Sequence, residues 1–260
     1  MKDIKYIFFT SINSTNTFAM NLVNSTASQK LNLIHKTVVI SDKQTNGRGR
    51  LERVFYSPEK TGLYMSAIYC PQKPVTDAAI ITATAAVAVT RSIKELFKID
   101  TQIKWVNDIY FENKKICGIL TEGHFNTDAK CIDSCVIGIG INLSTKYFPI
   151  ELSSKAGCIS EDIDEHKLYY FRDILAKMIS DELYSLLENG SDSIDEIMQE
   201  YKDKSMLIGK KVEVSPVIGE TKENYSALVT DITKTARLVV KTDDGLEKHL
   251  DSGEVSLTVF

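Results

Sequence analysis

The chain has 260 residues, 43% hydrophobic and 25% charged, which suffices for one large domain, or one large and one small, without disulfides or a structural metal. Its formal charge is −4, from 31 Lys+Arg against 35 Asp+Glu, so global charge gives no reason to expect DNA or RNA as a partner. The longest apolar stretch, Ala78 to Val89, is too short to span a bilayer and carries Thr82 and Thr84.

Met1 to Lys5 is followed by a short apolar patch, Tyr6 to Phe9, with no long hydrophobic region or small-residue cleavage site, so the chain reads as cytoplasmic and untargeted. Ile4 to Thr10 is predicted as a strand. Ser14-Thr15-Asn16 then supplies caps for a helix through Phe18, Met20 and Leu22. Val38 to Ile40 is a buried strand, and a polar loop follows from Asp42 to Arg53. Gly62 to Tyr69 is a further strand, and Ala78 to Phe97 a long alanine-rich helix.

Strands are expected at Thr101 to Trp105, Asp108 to Glu112 and Lys115 to Glu122, with Asn113-Lys114 as the hairpin turn between the last two. Cys135 to Ile141 is an apolar strand holding two glycines. Leu168 to Leu187 is an amphipathic helix that stops at Gly190, and Ile194 to Tyr201 a shorter helix. From Gly209 the pattern changes to five short strands, 211–214, 225–232, 237–242, 246–250 and 255–259, with Asp243-Asp244-Gly245 as a turn. Five strands in roughly fifty residues suggest a small barrel, because closure removes exposed edges. The boundary is set near Ser205.

The five cysteines, Cys70, Cys117, Cys131, Cys135 and Cys158, are odd in number and fit reduced thiols. Cys131 and Cys135 have no further pair or nearby histidine to complete a metal site, so metal ligands stay unassigned.

Four strings carry residues suited to chemistry. In Gly47-Arg48-Gly49-Arg50, with Arg53 beyond, glycines allow close backbone approach and guanidinium groups suit carboxylate and phosphate oxygens. Such a loop holds two anionic groups together, or is an exposed turn or an RNA-contacting loop. Lys104-Trp105-Val106-Asn107-Asp108 ends a strand in a cation, an amide and a carboxylate, a set fit for triphosphate and magnesium, while Asp108 could instead orient an amine. Lys115, beside Gly118 in an apolar strand, needs an oxygen partner if it points inward, or its head reaches water. Gly138-Ile139-Gly140-Ile141-Asn142 marks close approach of a ligand or another backbone, and lacks the third glycine and the βαβ unit of a dinucleotide fingerprint.

Taken in order, these strings resemble the biotin protein ligase family, whose pattern runs Ser-Thr-Asn, Gln-x-x-Gly-Arg-Gly-Arg-x-x-Arg, Lys-Trp-Pro-Asn-Asp, Lys-x-x-Gly-Ile-Leu and Gly-x-Gly-x-Asn. The matching positions here are Ser14 to Asn16, Gln44 to Arg53, Lys104 to Asp108, Lys115 to Leu120 and Gly138 to Asn142. The resemblance implies an α+β fold: a mixed β-sheet flanked by helices, similar to class II aminoacyl-tRNA synthetases, with a small C-terminal SH3-like barrel. The implied domains are 1–205, catalytic, and 206–260, SH3-like. It implies two steps: biotin and ATP give biotinyl-adenylate, then biotin passes to a lysine of a biotin carboxyl carrier protein.

By the same resemblance, Ser14, Thr15, Asn16, Gln44, Gly47, Arg48, Gly49, Arg50, Lys115 and Gly118 bind biotin. Arg50, Arg53, Phe55, Lys104, Asn107 and Asn142 bind ATP, with Mg2+ expected alongside. Arg48, Arg50, Lys104, Lys115 and Asp108 are the catalytic set. Three positions depart from the pattern: Glu52 for a frequent glycine, Phe55 for a tryptophan, and Val106 for the proline. Some members carry an N-terminal DNA-binding domain; Ser14 leaves it no room, so no DNA binding is expected. A homodimer stays open. A lipoate or octanoate ligase or transferase of the same fold, and a non-catalytic binding module, are the competing readings.

Overall fold

The computed structural model describes residues 3–71, 78–126, 131–216, 223–251 and 255–259. Residues 5–203 build one mixed sheet and its helices. The strands are β1 (Lys5–Phe9), β2 (Thr37–Ser41), β3 (Gly62–Tyr69), β4 (Gln102–Lys104), β5 (Asp108–Phe111), β6 (Lys114–Asn126) and β7 (Cys131–Asn142). Their spatial order is β1-β2-β3-β7-β6-β5-β4, with β1 and β2 parallel and the other neighbours antiparallel. Helices α2 (Ala78–Phe97) and α4 (Glu165–Asp203) cover one face, and α1 (Thr15–Asn24) covers part of the other. A single turn, α3 (Ile150–Ser153), follows β7.

Side-chain alternation sorts the two faces. Val38 and Ile40 of β2, Leu63, Met65 and Ala67 of β3, and Ile137, Ile139 and Ile141 of β7 join the core beneath α2 and α4. The intervening Val39, Ile68 and Val136 pack with Ala19 and Val23 of α1. Strands covered on both faces read as continuous apolar runs, which is why the sequence shows no polar alternation there. Residues directly opposite in the ladder share a face. Ser66, Gly138 and Leu120 therefore form one row, and Tyr64, Gly140 and Gly118 the next, both on the α1 side.

Three expectations need correcting. No helix end occurs at Gly190: α4 runs unbroken to Asp203. One glycine costs a helix about 1 kcal/mol, and burial of Ile197, Met198 and Tyr201 in the common core outweighs that. The β5–β6 turn is Glu112-Asn113 rather than Asn113-Lys114, since those two residues have φ of 48° and 61°, as a type I′ turn requires. The expected strand at 135–141 is longer, and pairs with β6 as far as Asn126 opposite Cys131.

The C-terminal sheet contains β8 (Lys211–Pro216), β9 (Tyr225–Ile232), β10 (Leu238–Thr242), β11 (Glu247–Leu250) and β12 (Val255–Val259), in the order β11-β10-β9-β8-β12, all antiparallel. Its end strands are not bonded to each other among the described residues, so the expected small β unit is open. Its buried residues, Val212, Val229 and Leu238 among them, continue the core of the main sheet. The Trp105 indole N–H donates to the Ala236 carbonyl at 2.7 Å, and the buried Tyr201 hydroxyl to the Val106 carbonyl at 2.8 Å. Among the described residues no helix is long and apolar enough to cross a membrane.

Gly138 tests the packing of the α1 face. A β-carbon there would stand 2.1 Å from Asn16 Oδ1, inside any permissible contact. Gly138→Ala should cost about 1–3 kcal/mol through overpacking, read from the urea midpoint. An unchanged midpoint would show that α1 does not press on this glycine.

Candidate active site

The N-terminus of α1 reaches the sheet at the Ser66–Gly138–Leu120 row. Ser14 is the N-cap, its hydroxyl accepting from Thr17 N at 3.4 Å. Asn16 lies over Gly138. Its Nδ2 donates to Glu122 Oε2 at 2.9 Å and to the Leu120 carbonyl at 3.3 Å, and its Oδ1 is 2.6 Å from Ser66 Oγ. Ser66 Oγ also lies 2.7 Å from Thr15 Oγ1. Gln44 accepts from Thr15 N at 2.8 Å through Oε1 and donates to Ser57 Oγ at 2.9 Å through Nε2. Ser14, Thr15 and Asn16 are each at most 4% exposed, so this end is a dense, neutral hydrogen-bonding lattice.

Phe55 covers the adjacent row. Ideal β-carbons on Gly140 and Gly118 would meet its ring at 2.4 and 3.2 Å. The loop before it folds back on itself: Gly49 N donates to the Arg53 carbonyl at 2.7 Å and Phe55 N to the Gly47 carbonyl at 2.9 Å. Gly47 admits no β-carbon, with the Phe55 carbonyl 2.3 Å from its ideal position. At the tip Leu51 and Glu52 both have positive φ, 52° and 59°. That conformation favours glycine, the residue frequent at this place in the family pattern, so Glu52 adds backbone strain as well as charge.

Cations gather on the far side of this row. Lys115 Nζ is 2.6 Å from Asp108 Oδ1, and Asp108 stands opposite Gly118 in the β5–β6 ladder. Arg50 Nη1 donates to Asn107 Oδ1 at 3.0 Å, while Asn107 Nδ2 donates to the Ile119 carbonyl at 2.8 Å. Burial holds the Arg50 guanidinium below its ordinary value, opposed by Asp108 and assisted by Arg53. Burial likewise pulls Lys104 down, opposed by Asp108 and reinforced by Lys115, Lys155 and Arg53. Lys104 Nζ also lies 6.0 Å from the Tyr110 ring centroid. The peptide between Trp105 and Val106 is cis.

One cavity of about 960 Å³ joins the neutral lattice to the cations. Small-molecule sites span roughly 300–1,000 Å³, so this one has room for a large ligand or two adjoining ones. Of the candidates, Ser14, Thr15, Asn16, Gln44, Arg48, Gly49, Arg50, Arg53, Phe55, Lys104, Asn107, Asp108, Lys115 and Gly118 line it. Gly47 and Asn142 do not. Gly47 shapes the loop from behind. Asn142 Nδ2 donates to the Gly157 carbonyl at 2.9 Å, and its Oδ1 is buried without a partner among the described residues.

Sequence reasoning missed Ser66, Glu122 and Lys155. Alternation could have found the first two, which share the parity of Gly138 and Gly140. Lys155 lies on the far wall, where the Lys115 amide donates to its carbonyl at 2.8 Å; nothing in its own segment marks it. Arg48 departs from expectation in another way. Its guanidinium donates to Glu122 through Nη1 and Nη2 at 3.1 and 2.8 Å, a two-point ion pair within the protein. The buried thiols are poor nucleophiles: burial raises Cys117, and pushes Cys135 up to about 12. Among the described residues no three His, Cys, Asp or Glu side chains assemble to hold a metal.

Comparisons with known proteins agree with this geometry. Residues 8–142 match the Biotin/lipoate A/B protein ligase family, and residues 215–258 the Biotin protein ligase C terminal domain. The Bacillus subtilis bifunctional ligase/repressor BirA is 40% identical over 161 residues, 61% of this chain and 47% of that protein. The Escherichia coli protein of the same name is 28% identical over 220 residues, 84% of this chain and 65% of its own length. The chain thus spans about half to two thirds of the length of these curated relatives. A solved structure, the biotin protein ligase from Aquifex aeolicus in complex with biotin and ATP, is similar with a TM-score of 0.75 and 26% identity, covering 98% of this chain and 99% of that one. With matched strings, fold and family pattern in agreement, the chain belongs to the biotin/lipoate A/B protein ligase family.

Proposed function

We propose that this protein activates biotin with ATP and transfers the biotinyl group to a lysine of a biotin carboxyl carrier domain. The observation that carries this reading is that one cavity has both a neutral hydrogen-bonding end and a cationic end, joined where Asn16 and Phe55 pack on the sheet glycines. The ureido group of biotin suits the Ser14, Thr15, Asn16 and Gln44 lattice, which offers both donors and acceptors. The valeryl chain takes the space between that lattice and Lys115, beside the Phe55 ring that covers Gly118 and Gly140. Its carboxylate then reaches Lys115, which lies beside Gly118, and Arg50, which lines the same cavity.

ATP takes the remaining volume. Its α-phosphate sits between Arg50 and Lys115, and the pyrophosphate portion toward Lys104, Arg53 and Lys155. Asn107 keeps Arg50 aimed inward. Asn142 stands behind the cavity wall, where its Nδ2 bond to the Gly157 carbonyl supports the segment that leads to Lys155. Magnesium accompanies ATP as part of that substrate, because Asp108, a carboxylate in the cavity, is already paired with Lys115. A biotin carboxylate oxygen attacks the α-phosphorus and pyrophosphate leaves. The acceptor lysine nitrogen then attacks the acyl carbon, and AMP departs with the bridging oxygen. Asp108 takes the proton of the incoming ammonium once Lys115 has turned to the substrate oxygen. Fixed cations pre-placed at developing phosphoryl charge supply the acceleration, so no side-chain nucleophile is needed.

The division into a catalytic unit (1–205) and a C-terminal unit (206–260) follows the same reading, and the cytoplasm, where ATP and reduced thiols coexist, is its assigned location. The acceptor domain is the macromolecular partner assigned, not DNA. The family embraces lipoate ligases as well, so substrate choice needs a direct test. ATP–pyrophosphate exchange should depend on biotin and not on lipoate or octanoate; exchange with lipoate alone would overturn the proposal. Lys115→Ala should lower kcat/KM for exchange by about 10²–10³, as loss of one charge-stabilising donor does.

Lys104 gives a second test with opposite signs for stability and binding. Its folded value lies below the ordinary 10.5 because burial disfavours the cation. Between those two values the unfolded chain holds more protons, so stability rises with pH in that window. Below it the buried cation destabilises the fold throughout. Lys104→Met should therefore raise the urea midpoint at pH 7 while raising the KM for ATP at least about tenfold, the loss of one charge-assisted contact. A lowered midpoint, or an unchanged KM, would contradict the assigned role.

A further inference from the structure

We propose that Glu122 is a positioning residue which, with Arg48, latches the Gly-Arg loop to the N-terminus of α1 and so governs how long the adenylate is retained. The inference rests on the function proposed above and adds a device to it. Glu122 does not line the cavity, yet one carboxylate serves three donors from two separate segments. Asn16 Nδ2 comes from α1 at 2.9 Å, and the two Arg48 nitrogens come from the loop at 3.1 and 2.8 Å.

The remaining bonds of the loop make this tie matter. Backbone bonds between Gly47 and Phe55, and between Gly49 and Arg53, close the loop on itself, while its base is held by Asn46 N on the Asn13 carbonyl and by Phe55 on the sheet. Arg50 anchors the inner limb through Asn107, and Arg48 ties the outer limb to β6 through Glu122. The tip is a poor anchor, because Leu51 and Val54 are exposed and Leu51 and Glu52 hold left-handed backbone. The Arg48 side chain is 43% exposed, so the pair is screened by water and weak enough to open and re-form. Two-point geometry nevertheless fixes one docked position when it is closed. Glu122 thus has two separable effects: its Asn16 bond orients the amide over Gly138, and its Arg48 pair holds the loop down.

The two effects are read separately. Escape of biotinyl-adenylate is followed as nonspecific biotinylation of serum albumin lysines, and biotin KM and kcat by pyrophosphate exchange. Arg48→Ala and Glu122→Gln should each raise escape about two- to fivefold, the range of an exposed ion pair, and Glu122→Gln should do so with kcat changed less than that. Glu122→Gln, which keeps an acceptor for Asn16, should leave biotin KM near the parent value, whereas Glu122→Ala should raise it. The double variant Arg48→Ala/Glu122→Gln should leak no more than either single one, and the exchanged pair Arg48→Glu/Glu122→Arg should recover retention. Multiplying effects in the double variant, or no leak from Glu122→Gln, would overturn the latch. If the parent protein makes no adenylate at all, the function proposed above fails instead.

Discussion

On the face of the main sheet that α1 partly covers, β6 and β7 contribute no β-carbon at Gly118, Gly138 and Gly140, and two side chains from elsewhere take up the space. Asn16 descends onto Gly138 and Phe55 onto Gly140 and Gly118, at distances that a methyl group would forbid. That close approach places the start of α1 within hydrogen-bonding reach of Ser66 and Glu122, and brings the end of the Gly-Arg loop against the sheet. The neutral lattice and the cationic rim therefore share one floor. Methyl groups at these positions would lift α1 and Phe55 and separate the two halves of the cavity.

Electrostatics completes what packing begins. Burial depresses Arg50 and Lys104, and Asp108 counteracts it for both. Holding several cations near one carboxylate is costly in the free fold, and an anionic ligand relieves that cost. A cationic cluster of this kind favours an anionic ligand over its own ligand-free state, as preorganised charge requires. The Trp105 bond to Ala236 and the Tyr201 bond to Val106 brace the Lys104–Asp108 segment from behind, so the C-terminal sheet and α4 share in fixing the cationic end.

Much of this is legible in the sequence. Gly47 to Arg50, Lys104 to Asp108, Lys115 to Leu120 and Gly138 to Asn142 carry backbone demands and charges that leave marks in sequence, and most of their residues meet in one cavity. Residues acting singly left no such mark: Ser66 sits in an apolar strand, Glu122 near a strand's end, and Lys155 in a plain polar turn. Arg48 was legible as a cation but not as the partner of Glu122, because that pair joins positions 74 residues apart. Gly190 misled because local helix propensity was outweighed by burial of residues beyond it. At Glu112-Asn113 the turn slipped by one residue, since a glutamate at positive φ is an improbable choice.

In the proposed reaction a carboxylate held at Lys115 attacks the α-phosphorus and later leaves one oxygen on AMP. Biotin labelled with ¹⁸O in both carboxylate oxygens tests it in one experiment, with ATP, the acceptor domain and mass analysis of the products. The account predicts one ¹⁸O in AMP, none in pyrophosphate, and one retained in the amide of the biotinylated lysine. Unlabelled AMP, or label in pyrophosphate, would contradict it.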